Sequence, residues 1–183
     1  TVKILCVIDS FGSGGAQRQM INLACGLKAN GHDVEMLVYF PREAFFRPLI
    51  DEASIPVHEV IKGRGFSFKV LWCLMRLLRT GRYEAVISFL TTPNIYCELA
   101  KLTNQATRLI VSERSSNSKD GAPLGALVRT LLHLVANSVV TNSETHGNWL
   151  RRHPWLRKKT KTIYNGYAIP PLPDRQLASH TGE

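Results

Sequence analysis

Residues 3–31 read KILCVIDSFGSGGAQRQMINLACGLKANG. Lys3 to Ile8 is a short apolar run of the kind that forms a strand buried on both faces. Ser10 to Gly15 (SFGSGG) is small and flexible. Ala16, Met20, Leu23, Ala24 and Leu27 then recur at helical spacing and share one face. Asn30-Gly31 has the chemistry of a helix end. A buried strand, a glycine turn and an amphipathic helix, in that order, open a βαβ unit.

The same alternation continues outward along the chain. Val34 to Phe40 reads as a second strand, stopped by Pro41. Phe45 to Ala53 is a turn or two of helix, disturbed by Pro48, and Val57 to Val60 is a weak third strand. Ser67 is placed to cap a helix running to about Arg79. Ala85 to Phe89 is a fourth strand, Pro93 to Thr103 a helix, and Arg108 begins a fifth strand through Val111. A polar stretch follows from Ser112 to Gly121. Pro123 opens a helix through Val135, Ser138 to Thr141 is a sixth strand, Ser143 caps the next helix, and Thr160 to Tyr164 is the last strand. This order predicts an α/β fold: a Rossmann-like, doubly wound parallel sheet with helices on both faces. The domain is expected over residues 1–169. Pro170, Pro171 and Pro173 then open a polar tail, 170–183, expected to be a disordered linker or the start of a further domain.

Composition bounds the function. The 183 residues are 44% hydrophobic and 20% charged, ordinary for a folded domain with a sizeable core. The net charge of +9 points to an anionic partner, against the plainer possibility of a basic solvated surface. Cys6, Cys25, Cys73 and Cys97 lie far apart in apolar runs, which predicts free buried thiols and a reducing compartment. No metal-ligand spacing is visible. The N-terminus lacks signal-peptide architecture, and the apolar run Leu71 to Leu78 is too short to span a bilayer and is broken by Arg76.

Ligands of doubly wound sheets bind outside the carboxyl ends of the strands. The loops of interest are therefore Asp9 to Gly15, Leu90 to Pro93, Ser112 to Gly121 and Asn142 to Glu144. In the first, Gly14 and Gly15 permit close backbone approach, and the N–H groups and dipole of the following helix favour a phosphate. The plainer reading is a tight turn. The spacing matches neither G-x-G-x-x-G nor a Walker A loop, which argues against dinucleotide binding and NTP hydrolysis. In the third loop, Arg114 has the geometry to bind phosphate in a bidentate way, against the alternative of an exposed Glu113–Arg114 pair of little energetic weight. The helix from Ser67 carries a wide apolar arc, Phe68, Leu71, Trp72, Leu74, Met75 and Leu78. Core burial accounts for most of it. Lys69, Arg76 and Arg79 beside Trp72 keep an anionic membrane surface open as a second reading. Another basic group, Arg151, Arg152, Arg157, Lys158, Lys159 and Lys161, surrounds Trp155. The six histidines show no ligand spacing, and only His146 falls near a cleft loop. No nucleophile elbow, H-E-x-x-H or Cys–His pattern is present, so no catalytic residue is named.

The segment Ile4 to Ala24 resembles the opening of family-4 retaining glycosyltransferases of the GT-B class. Gly14-Gly15-Ala16-Gln17-Arg18 is similar to their G-G-A-[EQ]-R loop. Gly31-His32-Asp33-Val34 resembles their G-H-x-V, Val140 to Glu144 their V-x-x-S-E, and Ile163 to Gly166 the turn leading to their second domain. The resemblance covers roughly Val2 to Ile169. It implies that this half holds the acceptor and that a C-terminal half holds most of a nucleotide-sugar. Gly14, Gly15 and Ala16 would then face the donor diphosphate, and no cofactor or metal is implied. Ser112-Glu113-Arg114 resembles a segment of members that extend polyprenyl-diphosphate-linked oligosaccharides. Glu113 and Arg114, with Thr91 and Asn94, are thereby expected at the acceptor, with Arg114 standing where relatives use a cleft histidine. The C-terminal half, with its E-x7-E segment, is absent from the sequence. A retaining hexosyltransferase activity is therefore expected of a full-length protein, and the chain alone is expected to be inactive. The expected setting is cytoplasmic, peripheral on the inner membrane face. The alternative is a non-catalytic binding or membrane-anchoring subunit of a split transferase. Nucleic acid is not an expected partner, since RNA binding calls for a repeated aromatic platform.

Overall fold

The computed structural model describes residues 1–114 and 123–166, with backbone alone at Pro123, Leu124 and Ala126. In chain order the elements are β1 (Lys3–Val7), α1 (Gly15–Ala29), β2 (Asp33–Val38), α2 (Arg47–Glu52), β3 (Val57–Glu59), α3 (Phe68–Thr80) and β4 (Ala85–Phe89). They continue with α4 (Thr91–Lys101), β5 (Arg108–Glu113), α5 (Pro123–Leu132), β6 (Ser138–Thr141), α6 (Glu144–Arg151) and β7 (Thr160–Thr162). The strands form one sheet in the order β3-β2-β1-β4-β5-β6-β7. Every pairing is parallel. The predicted Rossmann-like, doubly wound architecture is therefore observed. The winding reverses between β1 and β4, and the loops after these two strands flank the crevice there.

The alternation of strand side chains sorts the core into two layers. Leu5, Val7, Leu37, Val86, Leu109, Val111 and Val139 meet α3, α4 and α6 through Val70, Leu74, Leu78, Cys97, Ala100 and Leu150. Ile4, Cys6, Ile8, Val34 and Met36 meet α1 and α2 through Met20, Ile21, Ala24 and Ile50. Among the described residues the second layer stops at β4. Beyond it, Ile110, Val140 and Ile163 line an open cleft beside α1. The four cysteines are free, and burial pushes the Cys6 and Cys97 thiols up to about 12. No described helix is long and apolar enough to cross a membrane.

Several boundaries differ from the sequence reading, each for a local reason. Pro48 does not disturb α2; it sits in its first turn, where its missing N–H has no partner to lose. Pro93 is likewise accommodated in the first turn of α4, which starts earlier, at Thr91. β5 runs on through Ser112 and Glu113, which pair with Phe89 and with Val140 and Thr141, so these two residues belong to the sheet and not to the polar loop. Ser67 caps α3 as expected, accepting from the Val70 amide. The apolar arc read for α3 is corrected. Val70, Leu74 and Leu78 are buried, but Phe68 and Trp72 stand about 200° around the helix from Val70 and point outward. The predicted boundary at residue 169, the tail and the loop residues 115–121 lie outside the described residues.

Candidate functional site

The β1–α1 loop is pinned from beneath. Phe11 is buried and exchanges backbone bonds with Glu43 and Phe46. The Ser10 hydroxyl donates to Glu43 Oε2 at 2.9 Å, and the Ser10 amide donates to Asp9 Oδ1. Burial raises the Asp9 carboxyl above its usual range. These anchors leave Ser13, Gly14 and Gly15 exposed at the start of α1. Gly14 is the helix N-cap, with no side-chain cap and no acidic residue in the first turn. No side chain of α1 itself therefore caps the amides at this end. Gln17 folds over Gly14, its amide donating to Asp9 Oδ1 at 2.9 Å. Gly15 is different: a Cβ built there meets nothing within 4 Å, and its φ is not positive. Neither packing nor backbone conformation calls for glycine at that position.

Among the described residues, two clefts open at the carboxyl edge of the sheet. The first lies at the reversal point, has a volume of about 430 Å³, and is lined by Asp9, Tyr39, Phe40, Lys62, Leu90 and Thr91, among others. Leu90 holds φ at +76°, a left-handed value costly for a branched side chain, so the turn that presents Thr91 is strained. The second cleft, about 770 Å³, runs between α1 and the open half of the sheet and contains Gln19, Phe89, Ser112, Arg114 and Tyr164. It is mainly apolar, and Arg114 is the cation within it. The Arg114 guanidinium lies 4.0 Å from the Phe89 ring centroid, and its Nε donates to Ser112 Oγ at 3.0 Å. Nη1 donates to Asn165 Oδ1. Among the described residues no carboxylate pairs with it.

Thr91 and Arg114 thus reach clefts, and the Gly14–Ala16 segment, exposed at Gly14 and Gly15, lines neither of them. Asn94 and Glu113 are each only 1% exposed. Asn94 accepts from Ser88 Oγ and donates to the Ser112 carbonyl and to Glu113 Oε1. Glu113 lies beneath Arg114, within a polar cluster that the sequence reading did not find. His133 Nδ1 bonds to Glu98 Oε1, and its Nε2 stands 3.4 Å from Glu113 Oε1. His133 and both glutamates are essentially inaccessible. Burial alone pulls the His133 pKa down, but Glu113 and Glu98 together outweigh it and hold the imidazole at about 9, charged at neutral pH. Burial pushes Glu113 up, and His133, Arg129 and Asn94 bring it below its usual range. Glu98 is raised, burial prevailing over its bond to His133. Among the described residues Glu98 Oε2, Glu113 Oε2 and the Nε2 atoms of His133 and His146 have no hydrogen-bond partner. The available signal was Asn94 and Glu98, four apart and so on one face of a helix. His133 had no local signal, since its partners come from two other elements. No described group of three or more His, Cys, Asp or Glu is placed to hold a metal ion.

The sequence profile of Glycosyltransferase Family 4 matches residues 13–169. The GalNAc-alpha-(1->4)-GalNAc-alpha-(1->3)-diNAcBac-PP-undecaprenol alpha-1,4-N-acetyl-D-galactosaminyltransferase of Campylobacter jejuni is 31% identical over 123 residues, which are 64% of this chain and 33% of that enzyme. Among solved structures, Anabaena Alr3699/HepE in complex with UDP and glucose superposes with a TM-score of 0.71 at 19% identity, over 91% of this chain and 45% of that one. Acinetobacter baumannii MurG superposes with a TM-score of 0.62 at 16% identity, over 92% and 47%. The chain spans a third of the length of the Campylobacter relative and just under half of each of these structures. With the glycine loop, the parallel sheet and the family profile in agreement, the chain belongs to Glycosyltransferase Family 4, as an N-terminal Rossmann-like domain of the GT-B type.

Proposed function

We propose that this domain holds the acceptor in a retaining transfer of a sugar from a nucleotide-sugar to a polyprenyl-diphosphate-linked glycan. The observation that carries the reading is Arg114: a half-buried guanidinium, stacked on Phe89 and unpaired with any described carboxylate, inside a mainly apolar cleft. One cation in an apolar groove suits a diphosphate carried on a lipid. The relative named above acts on an undecaprenol diphosphate glycan, which supports the same acceptor class. Thr91 then contacts the acceptor sugar from the strained Leu90 turn. Asn94 and Glu113 act from below by fixing the end of β5.

In this reading the amides of Gly14, Gly15 and Ala16, at the start of α1, face the donor diphosphate across an interdomain cleft. Charge develops on that diphosphate as the glycosidic bond breaks, and preoriented amides at a helix N-terminus stabilise it. The donor contacts made by a second domain are needed for turnover, so the 183-residue chain alone binds acceptor without transferring sugar. A lipid-borne acceptor brings the site to the cytoplasmic face of a membrane.

The test is transfer of labelled sugar from a UDP-sugar to a polyprenyl-diphosphate-linked oligosaccharide by the complete polypeptide, with acceptor binding by this chain followed calorimetrically. Arg114→Ala is expected to weaken acceptor binding at least tenfold, the scale of a lost charge-assisted contact. Acceptor binding that is indifferent to Arg114→Ala defeats the assignment. Binding without any transfer by the complete polypeptide favours a non-catalytic subunit.

A further inference from the structure

The cleft at the reversal point is lined by hydrogen-bonding groups that the fold itself leaves unused. Asp9 Oδ1 accepts from the Ser10 amide at 2.7 Å and from the Gln17 side-chain amide at 2.9 Å. Both bonds fall on one oxygen, and among the described residues Oδ2 accepts from no other residue. The loop is closed without that second oxygen. The Asp9 carbonyl takes the Tyr39 and Phe40 amides, and the Phe11 backbone bonds to Glu43 and Phe46. Tyr39 lines the cleft although it is 1% exposed, and its hydroxyl has no hydrogen-bond partner among the described residues. Thr91 and Thr92 line it from the first turn of α4, and their hydroxyls bond to no described residue. Lys62 donates to the Gly63 carbonyl at 3.3 Å and keeps further donors, its ammonium 5.5 Å from the Phe40 ring centroid. Phe40, 37% exposed, and Pro93 add apolar surface.

This lining selects a class of ligand. An anion entering the cleft meets the Asp9 carboxylate, and a cation meets the Lys62 ammonium, so a net charge of either sign is opposed there. A neutral polyol is not opposed. Each of its hydroxyls both donates and accepts, so it can give to Asp9 Oδ2 and take from Lys62 and the threonines. The C–H face of a pyranose is apolar and packs against an aromatic ring such as Phe40. The volume, about 430 Å³, lies low in the range of small-molecule sites, roughly 300–1,000 Å³, and suits one sugar ring. We infer that this cleft binds a neutral pyranose, with Asp9 as the residue that selects it by accepting a hydrogen bond from a particular hydroxyl. That the cleft takes a sugar is argued from its own lining; that the ring is the terminal sugar of the acceptor rests on the function proposed above.

The experiment is amide correlation NMR of the 183-residue chain, titrated with methyl glycosides of glucose, galactose, N-acetylglucosamine and N-acetylgalactosamine and, separately, with inorganic phosphate. At least one glycoside is expected to shift the amides of Asp9, Phe40, Lys62 and Thr91. Its dissociation constant should be on the order of millimolar, the scale for a ligand of so few atoms. Asp9→Asn keeps the shape of the side chain and removes its charge, and should weaken binding at least about tenfold. In the parent chain, the deoxy analogue lacking the hydroxyl given to Asp9 should lose a similar factor, and in Asp9→Asn the same deletion should cost little more. Binding that survives Asp9→Asn undiminished overturns the inference, as does the absence of a shift with every glycoside. Phosphate shifting these amides in place of the glycosides also overturns it, in favour of an anion site. If Asp9→Asn disturbs the loop, seen as shifts at Phe11 and Glu43 without ligand, the deoxy series in the parent chain decides, and equal affinity across that series overturns the inference. A methyl glycoside carries no diphosphate, so its binding does not depend on the role given to Arg114, and the two readings fail separately.

Discussion

Gly15 carries a cost in stability that nothing inside the domain explains. A helix residue without a side chain loses roughly 1 kcal/mol relative to alanine in a helix interior, and less near an end. With open space around it and an ordinary φ, Gly15→Ala should leave the fold intact and raise the urea midpoint slightly, a gain in unfolding free energy of up to about 0.5 kcal/mol. If the proposed function holds, the same substitution should impair sugar transfer, because the added methyl group would stand where that reading brings the donor diphosphate. A lower midpoint would show that the glycine serves the fold after all. His133 sets the second prediction at this scale. It faces Glu98 and Glu113, with Asn94, Arg129 and His146 around that cluster. Its folded pKa, about 9, lies above the ordinary 6.5. The stability it contributes is therefore complete below about 6.5 and is lost as pH rises through 9. Unfolding free energies of His133→Gln and the parent chain from urea titration should differ by on the order of 2 kcal/mol at pH 6 and converge above pH 9. A gap that stays constant with pH would mean that the imidazole is neutral in the folded chain.

At the scale of elements, the parts whose signals are local were legible beforehand. Ser67 and Ser143 cap α3 and α6 where their position ahead of helical runs placed them. β1, β4 and β6 fall within a residue of their apolar runs. What escaped was decided by neighbours. Ser112 and Glu113 look like a loop because they are polar, yet β4 and β6 on either side supply backbone partners that extend β5 through them. That extension takes Glu113 out of solvent and brings it to Asn94 of α4 and to His133, just past the end of α5. For α3, apolar identity alone suggested a buried arc. The helical period was there to be read, and it turns Phe68 and Trp72 away from Val70 and Leu74. That Arg114 and Thr91 border clefts was foreseeable from their place at strand ends. The Glu98–His133–Glu113 cluster was not, since it joins side chains up to 35 residues apart.

The whole molecule follows from strand–helix alternation, yet the order β3-β2-β1-β4-β5-β6-β7 is uneven in its cover. Helices pack on both faces of β1, β2 and β4, whereas β6 and β7 have α6 on one side and the Arg114 cleft on the other. Amide hydrogen exchange should record the asymmetry. Protection is expected to be highest in β1 and β4 and to fall stepwise through β5 and β6 to β7. Uniform protection across the sheet would contradict it. The consequence is one of sequence in time. A sheet roofed on only one flank opens from the bare flank first, so the strands bordering the Arg114 cleft should fray and reclose while β1 and the glycine loop stay formed. The Arg114 cleft would then be the yielding part of the domain, and the loop after β1 its fixed point.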